Sequence, residues 1–198
     1  MSEEKKMLST FLKQVTDHFG FLEHDFGFHR VMVDDRFARW ENNEVFVQVQ
    51  FDAERSYEVG AEVGQSKVLF NGKERPFDLG EVARMAGNSW SRFRVLHGHN
   101  EDTLDNALNE LADVVKLHGH ALLHNAATAF AILAKQREQE CSDYAVETEL
   151  RQMKATAEKA WREHDYPTIV DLYGQHKSHL SPVEVKRYEV ALKRVVNE

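Results

Sequence analysis

The sequence predicts an α+β fold, with a helix-backed antiparallel β-meander followed by an all-helical C-terminal part. Two patterns support this prediction. Apolar and polar residues alternate between residues 45 and 63, which is typical of strands, whereas apolar residues recur at helical spacing from residue 101 onward. We therefore expect two domains: a helix plus antiparallel sheet over residues 1–99, and a helical bundle with a hairpin-like tail over residues 100–198.

The N-terminal segment predicts an amphipathic helix that covers one face of the sheet. Its apolar residues at helical spacing are Met7, Leu8, Phe11, Leu12, Val15 and Phe19. Gly20 supplies an end for this helix. The chain then turns toward a strand, because Val31 and Val33 alternate with Met32.

The stretch FARWENNEVFVQVQFDAERSYEVGAEVGQ is the clearest part of the meander. Asn42-Asn43 predicts a turn, since Asn tolerates the positive φ that tight hairpins require. Residues 52–55 predict a second turn. One face of the first strand carries Val45, Val47, Val49 and Phe51, and the other carries Phe46, Gln48 and Gln50. Period-two alternation of this kind indicates strands with one buried side.

The remaining segments predict short elements and then helices. Asn71-Gly72 is the signal of a short hairpin turn, and Asp78 is a helix N-cap. A long apolar stripe begins at Leu104 and stops at His118-Gly119, where a left-handed glycine is expected to end the helix. Ser181-Pro182 predicts another helix start.

Charge and cysteine content limit the classes of function. The chain has 25 basic and 33 acidic residues, a net charge of −8, which disfavours nucleic-acid binding and suits a basic partner. Its one cysteine, Cys141, allows no intrachain disulfide, which fits a reducing cytosol. The N-terminus lacks the apolar core of a signal peptide, and no apolar run is long enough to cross a bilayer. We expect a cytoplasmic protein with no membrane partner.

Three resemblances extend these predictions. The stretch AEKAWREHDYPTIVDLY resembles half of a tetratricopeptide-type helical hairpin, through Ala160 before Trp161, the Asp165-Tyr166 turn and Tyr173. The whole chain resembles a loose group of uncharacterised small bacterial α+β proteins, through FDLGEVARMAG, LADVVKLHGHALLHN and AWREHDYPTIVDLY. It is also similar in style to immunity proteins of bacterial toxin systems. These resemblances imply a helical hairpin in the tail and a partner-binding role.

The triplet His97-Gly98-His99 is the candidate metal site. Two histidines two residues apart on a strand point to the same face, as in the His-x-His-x-Asp-His pattern of metallo-hydrolases. Here Glu101 and Asp102 follow without a further histidine. The alternative interpretation is a strand end that leads into a helix capped by Asn100 or Asp102. We favour no metal and no cofactor, and keep a metal-dependent hydrolase using His97 and His99 as the alternative function.

No catalytic constellation is found in the sequence. It has no Gly-x-Ser-x-Gly nucleophile elbow and no glycine-rich phosphate loop. Cys141 lies among acidic residues, an environment in which we do not expect a reactive nucleophilic thiol. No catalytic residue is therefore predicted, and the expected protein is not an enzyme.

The candidate partner-binding surface is a sheet face that carries acidic residues and an aromatic residue. The residues expected there are Trp40, Glu44, Asp52, Glu54, Glu58 and Glu62. Such a face could receive another protein, with a basic partner favoured, although an ordinary solvated face has the same composition. The predicted function is a non-enzymatic cytoplasmic bacterial protein-interaction module, with a toxin-neutralising immunity protein or defence-system accessory as its specific form. The sequence leaves the possibility of a homo-oligomer open. Trp90 and Trp161 are expected to pack between the sheet and the helices.

Overall fold

A computed structural model describes residues 3–88 and 94–196 and divides the chain into two compact units, Met1–Arg137 and Glu138–Glu198. The helices are α1 (Glu3–Phe19), α2 (Phe21–Phe26), α3 (Leu79–Met85), α4 (Glu101–His118), α5 (His120–Leu123), α6 (Ala127–Arg162), α7 (Tyr166–Gln175) and α8 (Pro182–Val196), with a 3₁₀ turn at Lys177–His179. The strands are β1 (His29–Val33), β2 (Phe37–Glu41), β3 (Val45–Phe51), β4 (Glu58–Gln65), β5 (Leu69–Phe70), β6 (Lys73–Glu74), β7 (Phe77–Asp78) and β8 (Leu96–His97). The predicted α+β class is confirmed: an antiparallel N-terminal sheet precedes a helical region.

The first four strands form the predicted meander. They are neighbours in the order β1-β2-β3-β4, and all their pairings are antiparallel. Val47 pairs with Val63, and both side chains are buried on the inner face. Phe11 and Val15 of α1 belong to the same core, so the predicted helical cover is present. This packing removes the apolar side of both α1 and the sheet from water.

The β2–β3 turn is built differently from the expectation. Neither Asn42 nor Asn43 has a positive φ. Instead, Asn42 Oδ1 accepts the backbone N–H groups of Glu44 (2.9 Å) and Val45 (2.7 Å). A side chain that accepts two main-chain bonds fixes the turn without a left-handed residue.

β7 and β8 share the position beside β4. β7 pairs with residues 62–63 of β4, and β8 pairs with residues 58–59. Gly98 donates its N–H to the carbonyl of Tyr57 at 2.8 Å. Alternate residues of a strand direct their backbone N–H and C=O groups to the same side. The N–H and C=O groups of Ala61 therefore point toward the gap between β7 and β8.

The first unit extends beyond the predicted boundary at residues 99 and 100. Leu104, Leu108 and Leu111 of α4 are buried in one cluster with the sheet and α1. The helix predicted to open the second domain therefore completes the core of the first, and the division lies at residues 137 and 138.

Gly119 ends α4 for a different reason from the one predicted. Its φ is −84°, so it is not left-handed. A Cβ at this position would lie 2.5 Å from the carbonyl oxygen of Val115, closer than any side chain tolerates. The glycine is thus explained by lack of space, and α5 follows directly.

The second unit, Glu138–Glu198, is a small helical assembly, and capping residues lie at the starts of its helices α7 and α8. Asp165 Oδ1 accepts the Thr168 N–H at 3.2 Å and caps α7. Ser181 and Glu184 bond reciprocally at the start of α8, a capping box with Pro182 at the first position. Its buried core consists of Met153, Ala157, Ala160, Ile169, Tyr173 and Ala191. Trp161 packs against this cluster of the second unit, whereas Trp90 lies outside the described residues.

Candidate functional site

The predicted acidic residues lie at two ends of the sheet and do not form one patch. Glu44 belongs to the β2–β3 turn, whereas Asp52 and Glu54 belong to the β3–β4 turn. β3 separates these turns by seven residues, or roughly 20 Å at ~3.4 Å per residue. Glu58 and Glu62 lie along β4, on the side of the sheet opposite the core.

Trp40 is not a surface residue, which corrects the prediction for this position. Its side chain is 0% exposed. The indole stacks on Phe19 at a ring-centroid distance of 5.7 Å, and its Nε1 donates to Glu23 Oε1 at 2.9 Å. The alternation in β2 directs Trp40 toward the core and Arg39 to the outer face, so Trp40 cannot contact a partner.

Four of the five predicted carboxylates already have partners, and those of Asp52 are its own turn residues Glu54, Arg55 and Ser56. Glu44 accepts a hydrogen bond from Asn125 Nδ2 at 3.2 Å. Glu54 forms an ion pair with Arg36, and Glu62 accepts from Gln48 Nε2 at 2.5 Å.

Glu58 is the exception among these acids. Its side chain is exposed, and no partner for its carboxylate is found among the described residues.

The centre of the outer face holds an arrangement that the sequence pattern did not predict. Phe46 is fully buried there, apart from the main core. The Arg39 guanidinium lies 3.8 Å from its ring centroid and forms two hydrogen bonds with the Glu74 carboxylate, at 2.7 and 2.8 Å. These bonds lower the pKa of Glu74 and raise that of Arg39. Arg39 and Glu74 are 35 residues apart, so no local pattern indicated their pairing.

The candidate histidines lie on the outer side of β8. His97 is paired with Glu58 in the β4–β8 register. The His97 and His99 rings are stacked, with centroids 5.5 Å apart and planes 5° from parallel, and the Tyr57 ring lies 5.1 Å from that of His99. Among the described residues, no group of three or more His, Cys, Asp or Glu side chains is arranged to hold a metal ion. The described residues therefore supply no third ligand for the predicted metal site at His97 and His99.

The residues around the histidines confirm the strand-to-helix interpretation. A Cβ on Gly98 would lie 2.8 Å from Leu104 Cδ1, so the close approach of α4 requires glycine between the two histidines. Asn100 Oδ1 accepts the Thr103 N–H at 2.9 Å and is the N-cap of α4. The triplet thus connects a strand end to a capped helix.

A cleft of about 430 Å³ opens where β7 and β8 leave β4 uncovered. Its apolar lining comprises Val59, Ala61, Leu79, Leu96 and Leu111. Its charged lining comprises Asp52, Glu58, Asp78, Arg84 and Arg94. Three carboxylates and two guanidinium groups therefore line this site, and Arg94 also forms an ion pair with Glu110 at 2.5 Å.

Asp52 stays charged at the rim of this cleft. Its carboxylate accepts the Ser56 hydroxyl at 3.0 Å and the backbone N–H groups of Glu54 and Arg55 at 3.2 Å. These hydrogen bonds, that of Ser56 first, lower the pKa of Asp52. The structure therefore brings together two predicted partner-binding acids, Asp52 and Glu58, beside the candidate metal residue His97.

Comparison with known proteins identifies no relative: no family model, curated protein or solved structure matches this chain. In the described part of the chain, no helix is long and apolar enough to span a membrane.

Proposed function

We propose that the chain is a non-enzymatic, cytoplasmic bacterial interaction module that binds another protein through the cleft beside β4. The observation that supports this proposal is Glu58, an exposed carboxylate at the rim of a cleft with an apolar floor. No partner for this carboxylate is found within the described residues. A volume of about 430 Å³ is within the range of side-chain and small-ligand sites.

The chemistry of the cleft favours a basic side chain as its occupant. The methylene stem of a lysine or arginine would lie along Val59, Leu79 and Leu96, and its charge would meet Asp52 and Glu58. The net charge of −8 would also speed association with a basic partner. No nucleic acid, membrane or cofactor is part of this proposal.

Comparative capture from lysate of the source cells tests the proposal. The wild-type protein should retain a stoichiometric basic protein, and Glu58→Lys should lower the affinity about tenfold or more, because it places like charges together. Glu44→Lys is the matched control, since it makes the same charge change at the other end of the sheet. Recovery of the wild-type protein alone, or equal loss with both variants, would contradict the proposal.

A toxin-neutralising immunity protein or a defence-system accessory is the specific form of this function. Its support is the similarity in style to immunity proteins together with the acidic charge of the chain. In this form the basic partner is the toxin, and a toxin or phage-defence gene beside this one would favour it. The metal-dependent hydrolase using His97 and His99 stays a prediction of the sequence.

A further inference from the structure

The hairpin of β5 and β6 exposes three consecutive large apolar side chains. Val68 is 57% exposed, and Leu69 and Phe70 are each 58% exposed. Asn71 and Gly72 have φ values of 52° and 75°, the conformation of a tight hairpin turn. Adjacent apolar side chains with this exposure are characteristic of an interaction surface.

The hairpin is fixed in place by a side-chain contact. Glu74 of β6 forms its two hydrogen bonds with Arg39 of β2, which itself stacks on Phe46. The apolar hairpin is therefore presented on the outer face in one orientation. Such preorganisation lowers the entropic cost of binding.

The hairpin is basic in an otherwise acidic chain. Lys67, Lys73 and Arg75 flank its apolar residues, and the only acid between residues 67 and 75 is Glu74. The charge of Glu74 is compensated by Arg39, so the exposed surface of the hairpin is positive. The Arg75 guanidinium lies 4.9 Å from the Phe70 ring centroid, which places positive charge directly beside the apolar patch.

The edge strand β1 has the complementary properties. Val31 and Met32 are each 54% exposed, and Asp34 and Asp35 follow as exposed acids. Within the described residues β1 pairs with β2 alone, so one side of its backbone is open to another strand. Met32 is also paired with Arg39, the residue that binds Glu74, so the edge and the hairpin adjoin.

We propose that this surface is the interface of a homodimer, in which the hairpin of each copy (residues 67–75) contacts the β1 edge (residues 31–35) of the other. A two-fold axis brings each basic apolar hairpin against an acidic apolar edge and makes both contacts twice. The surface is self-complementary because it contains both halves of the contact. β1 is at the opposite edge of the sheet from β7 and β8, so the dimer leaves the cleft free.

Size-exclusion chromatography with light scattering tests the dimer. The full-length protein should have twice the mass of one chain at micromolar concentration, with weaker association at high salt because charge pairs contribute. Phe70→Glu should give a monomer that retains the wild-type circular dichroism spectrum, since the Phe70 side chain is 58% exposed and belongs to neither core cluster of the described residues. Leu117→Glu, a change at an exposed apolar position on α4, is the control that should stay dimeric.

A charge swap tests the pairing of hairpin and edge. Lys73→Glu and Asp35→Lys should each weaken the dimer about tenfold, and the double variant should recover most of the loss because it restores opposite charges. A wild-type monomer at every concentration, or a dimer unaffected by Phe70→Glu, would overturn the proposal. So would a double variant that associates no better than the single variants.

Discussion

At the scale of single residues, one carboxylate holds the buried indole of Trp40 and the edge strand together. Glu23 of α2 accepts hydrogen bonds from Trp40 Nε1 (2.9 Å) and from Arg30 Nε (2.8 Å) and Nη2 (2.6 Å). These donors stabilise the charged carboxylate, and the hydrogen bond from Trp40 contributes most to lowering the pKa of Glu23. Glu23 thus satisfies a buried donor and fixes β1 to α2.

We expect Glu23→Gln to lower the free energy of unfolding at neutral pH by about 1 kcal/mol, because a charged acceptor becomes a neutral one. The pKa of Glu23 is lowered in the folded protein, so its contribution is present above the pKa of the unfolded chain and is lost as the pH falls through the folded pKa. Urea unfolding of both proteins should therefore show a difference that shrinks in acid. Glu163→Gln, at an exposed helix end, is the control, and a difference independent of pH would contradict this explanation.

At the scale of elements, the outer face of β3 and β4 depends on one glycine. The Phe46 ring is enclosed between the Arg39 guanidinium and Gly64, its partner in the β3–β4 register. A Cβ on Gly64 would lie 2.5 Å from Phe46 Cζ. Glycine weakens most strands, but here it makes room for an aromatic ring.

Gly64→Ala should destabilise the protein by about 1–3 kcal/mol, because the Phe46 ring must move and its stacking on Arg39 is disturbed. Gly60→Ala in the same strand is the matched control. Its Cβ would lie 3.5 Å from the Gln50 side chain, an ordinary contact, so we expect a change within about 0.5 kcal/mol or a gain in stability. Urea midpoints measure both, and equal effects at the two glycines would be inconsistent with the steric argument.

At the scale of the whole molecule, the first unit requires α4. Leu104, Leu108 and Leu111 supply apolar surface that the sheet and α1 need for a complete core. A segment without them would expose the inner face of β4 to water. We therefore expect residues 1–137, and not residues 1–99, to fold as a unit.

Fragments test this boundary. We expect residues 1–137 to unfold cooperatively in urea with a near-ultraviolet circular dichroism signal from the buried Trp40. A fragment of residues 1–99 should lack both properties, because its core is incomplete. Cooperative unfolding of the shorter fragment would show that α4 is dispensable.

The sequence was sufficient where the determining interactions are local. Alternation predicted β3 and β4, Asp78 predicted the start of α3, and Ser181-Pro182 predicted the start of α8. The sequence was insufficient where a contact between distant residues determines the structure. The amphipathic stripe of α4 shows that one side of this helix is buried, but it does not show which element covers that side. Composition placed Trp40 on a surface, although the alternation in β2 directs its side chain into the core. The Arg39–Glu74 pair and the cleft depend on tertiary packing.

The two short strands β7 and β8, which share one side of β4, have a consequence for the order of folding. β1 to β4 are joined by short turns, so their pairing closes only small loops and can form early. β7 and β8 are two-residue segments on either side of α3, and a pairing of two residues with β4 is too short to be stable by itself. This border of the sheet should therefore be completed late, and the cleft with Glu58 should be among the last surfaces that the folding chain creates.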